Sequence, residues 1–257
     1  MKHFIINCDD LGMHPSIDRA ATDLLSTGRA SSASILATGP SFDHAVQKLK
    51  QFKIAEVGIH LCITAEYSKA SNRPISPRGS IPSLLRPDGN FYPDVVEELK
   101  TQLNLSELKQ ELVAQIEKVK GTGLQLDHID GHMFFYELCG PKVMDLVSVL
   151  AQSYKLPLRN RALNLKHHPS QFFFVWEDCA QRPARFEFYK QVFSSAEDFF
   201  SELIIHPGDS LEEMSEFTTL ARLRLDDYDF FRSDDFLEIR QQIKMASWRD
   251  VKKTLAV

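Results

Sequence analysis

The sequence predicts an α/β fold, a parallel sheet covered by helices, and three observations predict it. Short apolar runs alternate along the chain with segments of helical periodicity. Four of the runs end in Asp or His, the residues that α/β enzymes collect at the C-terminal ends of parallel strands. The chain of 257 residues carries no linker, repeat or low-complexity tract, which suits one large domain. From the alternation alone, a (β/α) barrel and a doubly wound sheet both fit.

The elements follow in order. Phe4–Asn7 reads as a strand, and Ser16–Ser26 as a helix with Ile17, Ala20, Ala21, Leu24 and Leu25 at helical spacing, Pro15 before it and Gly28 past its end. Ser34–Leu36 and Phe42–Phe52 make a second strand and helix, and Ala55–Leu61 a third strand. The wide segment Ala65–Pro93 holds Ser71-Asn72-Arg73-Pro74, Ser76-Pro77-Arg78-Gly79 and Pro87-Asp88-Gly89-Asn90, turn formers too dense for helix or strand. Starting just after His60, it is expected to overhang a site as a lid or substrate-binding loop. Leu108, Leu112, Ile116 and Val119 mark a helix, followed by the strand that carries His128. A helix around Pro141–Tyr154 leads to a short strand Leu156–Arg159, and Ala196–Phe200 precedes the strand ending at His206. Between them Lys166–Phe188, with His167, His168 and Trp176, is either a second wall of the site or core aromatics with solvated arginines.

Composition narrows the function. A net charge of -5 and a pI near 6.0 give no footprint for nucleic acid or an anionic membrane surface. Met1-Lys2-His3 leads straight into a strand, with no signal peptide and no run of some ~18 apolar residues. Cys8, Cys62, Cys139 and Cys179 lie far apart without a CxxC, so they are expected to be reduced and the protein cytoplasmic. The sequence leaves a homodimer open.

The chemistry lies at the strand ends: Asp9-Asp10, His60, His128-Ile129-Asp130-Gly131-His132 and His206. Each has an ordinary alternative. An Asp pair can open a turn or cap the helix near Ser16, and a strand-end His can simply bond the backbone. Their shared position at one end of a parallel sheet favours a site. An Asp/His/His set suits zinc and other first-row divalent ions better than magnesium, with open positions for water and substrate. Of two adjacent aspartates one can bind metal while the other takes a proton from water. His206, entering from a separate strand, has a suitable range to protonate a departing amine. His128 shares a strand side with Asp130, whereas Gly131 lets the chain turn His132 toward a metal.

At these residues the chain resembles the YdjC-like carbohydrate deacetylases, also called ChbG/HpnK-like deacetylases. Asn7-Cys8-Asp9-Asp10-Leu11-Gly12 is similar to their N-A-D-D-F-G, Gly58-Ile59-His60-Leu61-Cys62-Ile63-Thr64 to G-x-H-x-x-L-T, and His128-Ile129-Asp130-Gly131-His132 to H-x-D-S-H. Ile205-His206-Pro207 is similar to C-H-P, and Trp248-Arg249-Asp250-Val251 to an S-Y-R-D-V ending, so the resemblance spans nearly the whole chain. Cys8, Leu11 and Gly131 depart from the usual Ala, Phe and Ser without removing a ligand.

The resemblance implies a single domain over 1–257, a distorted (β/α) barrel of the polysaccharide-deacetylase-like type. It implies a metal-dependent hydrolase that removes acetyl from an N-acetylated mono- or oligosaccharide such as a chitooligosaccharide. One divalent ion, Mg2+ or Zn2+, would sit on Asp10, His60 and His132, with Asp9 as base and His206 as acid. Arg159 would orient Asp9 or contact substrate, and His128 and Asp130 would stand behind the ligands. A hydrolase of another amide, a cyclic amide or a phosphoester, and a sugar-binding descendant without catalysis, are the competing expectations. Tyr67, Phe91, Tyr92, Phe134, Phe135 and Tyr136 are candidates to stack on sugar rings.

Overall fold

The computed structural model describes residues 2–67, 71–159, 171–174, 182–195 and 200–255. The elements run β1 (His3–Leu11), α1 (Pro15–Ser26), β2 (Ser32–Ile35), α2 (Phe42–Gln51), β3 (Glu56–Leu61), α3 (Glu97–Gln102), α4 (Leu105–Gly121), β4 (Gln125–Gly131), α5 (Phe135–Leu138) and α6 (Pro141–Tyr154). There follow β5 (Gln171–Phe174), α7 (Arg182–Ser195), β6 (Phe200–Ile205), α8 (Leu211–Ser215), α9 (Ala221–Arg232), α10 (Asp234–Arg240), β7 (Lys244–Met245) and α11 (Trp248–Leu255). All strand pairs are parallel, in the order β4-β3-β2-β1-β6-β5, and the short β7 pairs with the start of β1. Parallel pairing puts every strand's C-terminal end on one rim, as expected.

The two faces of β1 differ in what they bury. Phe4, Ile6 and Cys8 join the large apolar core with Ala21 and Leu24 of α1 and Leu49 of α2. Burial of a side chain such as Phe4 or Ile6 contributes roughly 1.5–3 kcal/mol. Ile5 instead packs with Ala246 and Trp248, and Asn7 donates to Asp9 and Ser34. The alternation of a strand therefore sends even residues to the helices and odd residues to the inside of the sheet's curl.

Arg159 demonstrates that curl. Leu158 bridges Ile129 outside β4, so in a flat sheet Arg159 would stand four strand spacings of about 4.8 Å from β1, beyond the reach of one side chain. Its guanidinium nevertheless bonds Asp9 on β1 and Glu202 on β6. The sheet is rolled, and its interior is polar toward the rim and apolar toward Trp248, whose ring stacks on His128 at 4.7 Å. Gly58 leaves room for that imidazole, since a Cβ there would lie 2.1 Å from His128 Cε1.

Several expectations need correction. Leu156–Arg159 contributes one bridge rather than a strand. The turn-rich connection contains two single-turn 3-10 helices, Arg78–Ser80 and Pro82–Leu84, and buries Ile81, Leu84, Phe91 and Tyr92. It is tied to α4 by Glu111, which accepts from Ile75 N at 3.0 Å and Ser76 N at 2.8 Å. Much of it is therefore packed structure, where turn residues allow bends and the apolar residues between them fill the core. The start of α1 is capped by His14, which accepts from Ser16 N, and not by the Asp pair. Part of Lys166–Phe188 forms β5 and the start of α7, while His167, His168 and Trp176, like residues 196–199, lie outside the described residues. Among the described residues Cys8, Cys62 and Cys139 are free, and no helix is long and apolar enough to cross a membrane.

Gly58→Ala should lower the stability by about 1–3 kcal/mol, the usual cost of overpacking a filled interior. A thermal melt that matches the unsubstituted protein would mean that His128 and Trp248 yield freely and do not brace the barrel floor.

Candidate active site

Two adjacent residues of an extended strand point to opposite faces, yet both Asp9 and Asp10 line one cavity of about 420 Å³ at the C-terminal rim. A bulge resolves the conflict. Between Cys8, paired with Ala33, and Leu11, paired with Ile35, β1 holds one residue more than β2, and Asp10 takes a φ of 69°. A left-handed turn costs Asp less than most residues. At the end of β4 a similar break occurs, where Met133 and Phe134 both have φ of 51° and His132 swings into the cavity. Gly131 stands where a Cβ would meet the Tyr136 ring at 2.4 Å, so the serine expected at this place would displace that ring.

Asp10, His60 and His132 come together, all buried. Asp10 Oδ1 lies 3.4 Å from His60 Nε2 and 3.0 Å from His132 Nδ1, and the two nitrogens are 3.3 Å apart. Three donors bonded at about 2.0–2.1 Å to one ion are spaced by about 3.0–3.4 Å, so the triangle fits a single divalent cation. Buried Asp10 Oδ1 makes no hydrogen bond of good geometry, which leaves an acceptor for a cation at that corner of the triangle. Each of the three candidate ligands is also held from behind. His60 Nδ1 meets Asp130 Oδ1 at 2.8 Å, His132 Nε2 meets Glu66 Oε1 at 2.7 Å, and Arg224 Nη2 donates to Asp10 Oδ2 at 2.6 Å. Carboxylates behind imidazole ligands fix the tautomer and raise ligand basicity. A second grouping, Asp9, His60 and Asp130, already holds a cation. Arg159 Nη1 lies 2.7 Å from Asp9 and 2.9 Å from Asp130.

Electrostatics follows from this packing. Burial alone would lower the His60 pKa, but Asp130 and Asp9 carry it up to about 9. His132 is likewise raised against its burial by Glu66 and Asp10. Against its own burial, Arg224 and then His132 hold Asp10 well below the usual carboxylate range. His206, which also lines the cavity, is pushed down by burial.

Asp9 accepts from Arg159 through both oxygens, at 2.7 and 2.9 Å, and from Asn7 Nδ2 at 2.7 Å. Arg159 thus orients Asp9 and does not line the cavity. His128 stays inside the barrel, bonded to Asp127 at 2.7 Å and 3.4 Å from Asp130 Oδ2. Of the six aromatic candidates only Tyr67 and Phe134 line the cavity; Phe91, Tyr92, Phe135 and Tyr136 are buried in the core. Sequence reasoning missed Glu66, Glu202, Arg224 and Asp227. Asp227 accepts from His206 N at 2.9 Å and from Tyr189 Oη at 2.6 Å, and pairs with Arg185. The available signal was helical: Ala221, Arg224, Asp227 and Phe231 lie on the buried side of α9, two charges inside an apolar register.

The profile of the YdjC-like protein family matches residues 3–242. The chain belongs to this family. A carbohydrate deacetylase of Enterococcus faecalis (strain V583) is 32% identical over 166 residues, which cover 64% of this chain and 61% of that relative, less than two thirds of its length. A carbohydrate deacetylase of Oceanobacillus iheyensis is 29% identical over 82% of this chain and 87% of its own. Among solved structures, one from Enterococcus faecalis V583, described as a candidate cellobiose-phosphate cleavage protein, superposes with a TM-score of 0.81 at 23% identity. It covers 97% of this chain and 98% of that one. At that identity the likeness establishes the fold, in agreement with the rolled α/β sheet expected of this YdjC-like protein.

Asp227→Asn should destabilise the protein by about 3–5 kcal/mol, because it leaves Arg185 buried without its counter-charge. Burial would raise the Asp227 pKa, but Arg185 holds it below the ordinary 3.8. Its contribution is therefore full above that value and is lost as pH falls through the lower folded pKa. The gap between variant and unsubstituted protein in urea titrations should be constant from neutral to mildly acid pH and close only in strong acid. A gap that closes near pH 6 would assign the effect to another group.

Proposed function

We propose that this YdjC-like protein is a metal-dependent deacetylase that hydrolyses the acetamide of an N-acetylated mono- or oligosaccharide, such as a chitooligosaccharide, to acetate and an amino sugar. The observation that carries the reading is the donor triangle of Asp10, His60 and His132, with a carboxylate behind each imidazole, beside Asp9 and His206 in one cavity. The relatives named carbohydrate deacetylase support the same substrate class. Asp10, His60 and His132 would hold one divalent ion, and two nitrogens in three donors favour zinc or a similar first-row ion over magnesium. Such an ion polarises an acyl carbonyl and acidifies water.

The chain's own residues divide the remaining work. Asp9, pinned by Arg159 and Asn7, keeps one lone pair, on Oδ2, for a proton from the attacking water. His206, fixed through its backbone by Asp227, delivers a proton to the departing amine nitrogen. Tyr67, Met133 and Phe134 give the cavity an apolar wall on which a sugar ring can rest. The free cysteines support a cytoplasmic setting.

Acetate release from N-acetylglucosamine oligomers, set against turnover of cyclic amides and phosphoesters, tests the reaction class. Release of acetate is expected; turnover of only the other substrates would overturn the reading. His60→Ala should stay folded and lose its stoichiometric metal, and full metal content in the purified variant would remove His60 from the ligand set. Asp9→Asn should keep metal and sugar bound while the turnover rate falls by about 10²–10⁴-fold. His206→Ala should harm the amide far more than an activated acetyl ester, whose leaving group needs no proton. Equal losses on both would leave His206 with a positioning role only.

A further inference from the structure

Two arginines touch the aspartate pair, and they are satisfied differently. Arg159 is enclosed by Asp9, Asp130 and Glu202. Arg224, from α9, is equally buried at 3% exposure and lines the cavity itself. Its Nη2 donates to Asp10 and the guanidinium also interacts with Tyr67 of the cavity wall, while Nε and Nη1 make no hydrogen bond of good geometry. A buried guanidinium with unused donors is costly, and such donors are retained where something arrives to meet them. The planar fork is rigid, so the bond to Asp10 fixes the direction of the remaining N–H groups next to the donor triangle.

We propose that Arg224 is a catalytic residue that donates from its unpaired N–H groups to the acyl oxygen of the substrate as negative charge develops there. This rests on the deacetylase reading. When the water oxygen bonds to the acyl carbon, the carbonyl π pair moves onto oxygen and the water proton passes to Asp9. When the C–N bond breaks, that pair returns to the carbonyl and the nitrogen takes its proton from His206. Between these events the acyl oxygen carries a full negative charge. A guanidinium bonded to Asp10 is anchored by a carboxylate and held close to the cation position. A guanidinium attracts an oxyanion more strongly than a neutral carbonyl oxygen, because the charge it faces grows from partial to full. The interaction is therefore stronger in the transition state than with bound substrate, which is the condition for raising kcat.

The test compares the unsubstituted protein with Arg224→Lys and Arg224→Ala, each checked by thermal melt and metal analysis. Lysine keeps a charge for Asp10 but loses the fork. Arg224→Lys should bind metal stoichiometrically, keep KM on N-acetylglucosamine oligomers within a few-fold, and lose about 10²–10³-fold in kcat, the scale for one oxyanion donor. Added guanidinium should restore part of the rate of Arg224→Ala, which a purely structural arginine would not allow. In metal-free protein, acetate should shift the Arg224 Nε–H resonance, assigned by its loss in Arg224→Lys. Unchanged kcat in Arg224→Lys, normal kcat per bound metal ion, or a resonance that acetate does not move would overturn the assignment while leaving the deacetylase reading intact. An unsubstituted protein that releases no acetate from any N-acetylated sugar would instead defeat the reading and this role with it.

Discussion

The buried cluster around Arg159 is the interaction on which the rest of the site depends. One guanidinium, itself nearly inaccessible, reaches Asp9 on β1, Asp130 on β4 and Glu202 on β6. Charges in a protein interior are tolerated only when paired in good geometry. The rolled sheet supplies that geometry because it brings β4 round to face the neighbouring strands β1 and β6. Asp130, so held, is the group that orients His60, and Asp9 is the proposed base. The rim half of the rolled sheet's interior is thus a polar scaffold, and the helices outside supply the apolar burial that stabilises it.

Backbone breaks then convert this scaffold into a site. Regular strands would present Asp9 inward and Asp10 to the helices, and would carry His132 away from His60. The bulge at Asp10 and the left-handed pair Met133 and Phe134 cancel that alternation at two rims. Left-handed non-glycine residues cost of order 1–3 kcal/mol each and persist where the surroundings hold them. Arg224 holds Asp10, and Glu66 holds His132 immediately before the left-handed pair.

What the sequence revealed and concealed follows from the same distinction. The strand-end Asp and His residues were legible because parallel strands with alternating helices force their C-terminal ends together, whatever the details of packing. His128 was separable from His132 because a strand's period of two and the glycine between them are local properties. Arg224 and Asp227 were concealed among the other charges of α9, and Glu202 as the one charge of an apolar strand; each reads as a solvated surface position until its partner, far away in sequence, is known. Glu66 sits in a stretch dominated by turn formers, and Phe91 and Tyr92 are core residues there for the same reason. In such a connection local chemistry specifies bends, and only tertiary contacts decide which side chains turn inward.

Charge balance links the scaffold to the proposed metal. Around the cavity Asp9, Asp10, Asp130, Glu66 and Glu202 face Arg159 and Arg224, so five carboxylates against two guanidiniums leave three negative charges. The raised pKa values of His60 and His132 are the response of the cluster to that excess. Two imidazoliums reduce it to one negative charge. A divalent cation held by neutral imidazoles reduces it to one as well. Protons and metal are therefore interchangeable in charge at this site, and the carboxylates that orient the ligands remain matched in either state. An ion bound as proposed would replace two imidazolium protons without changing the net buried charge.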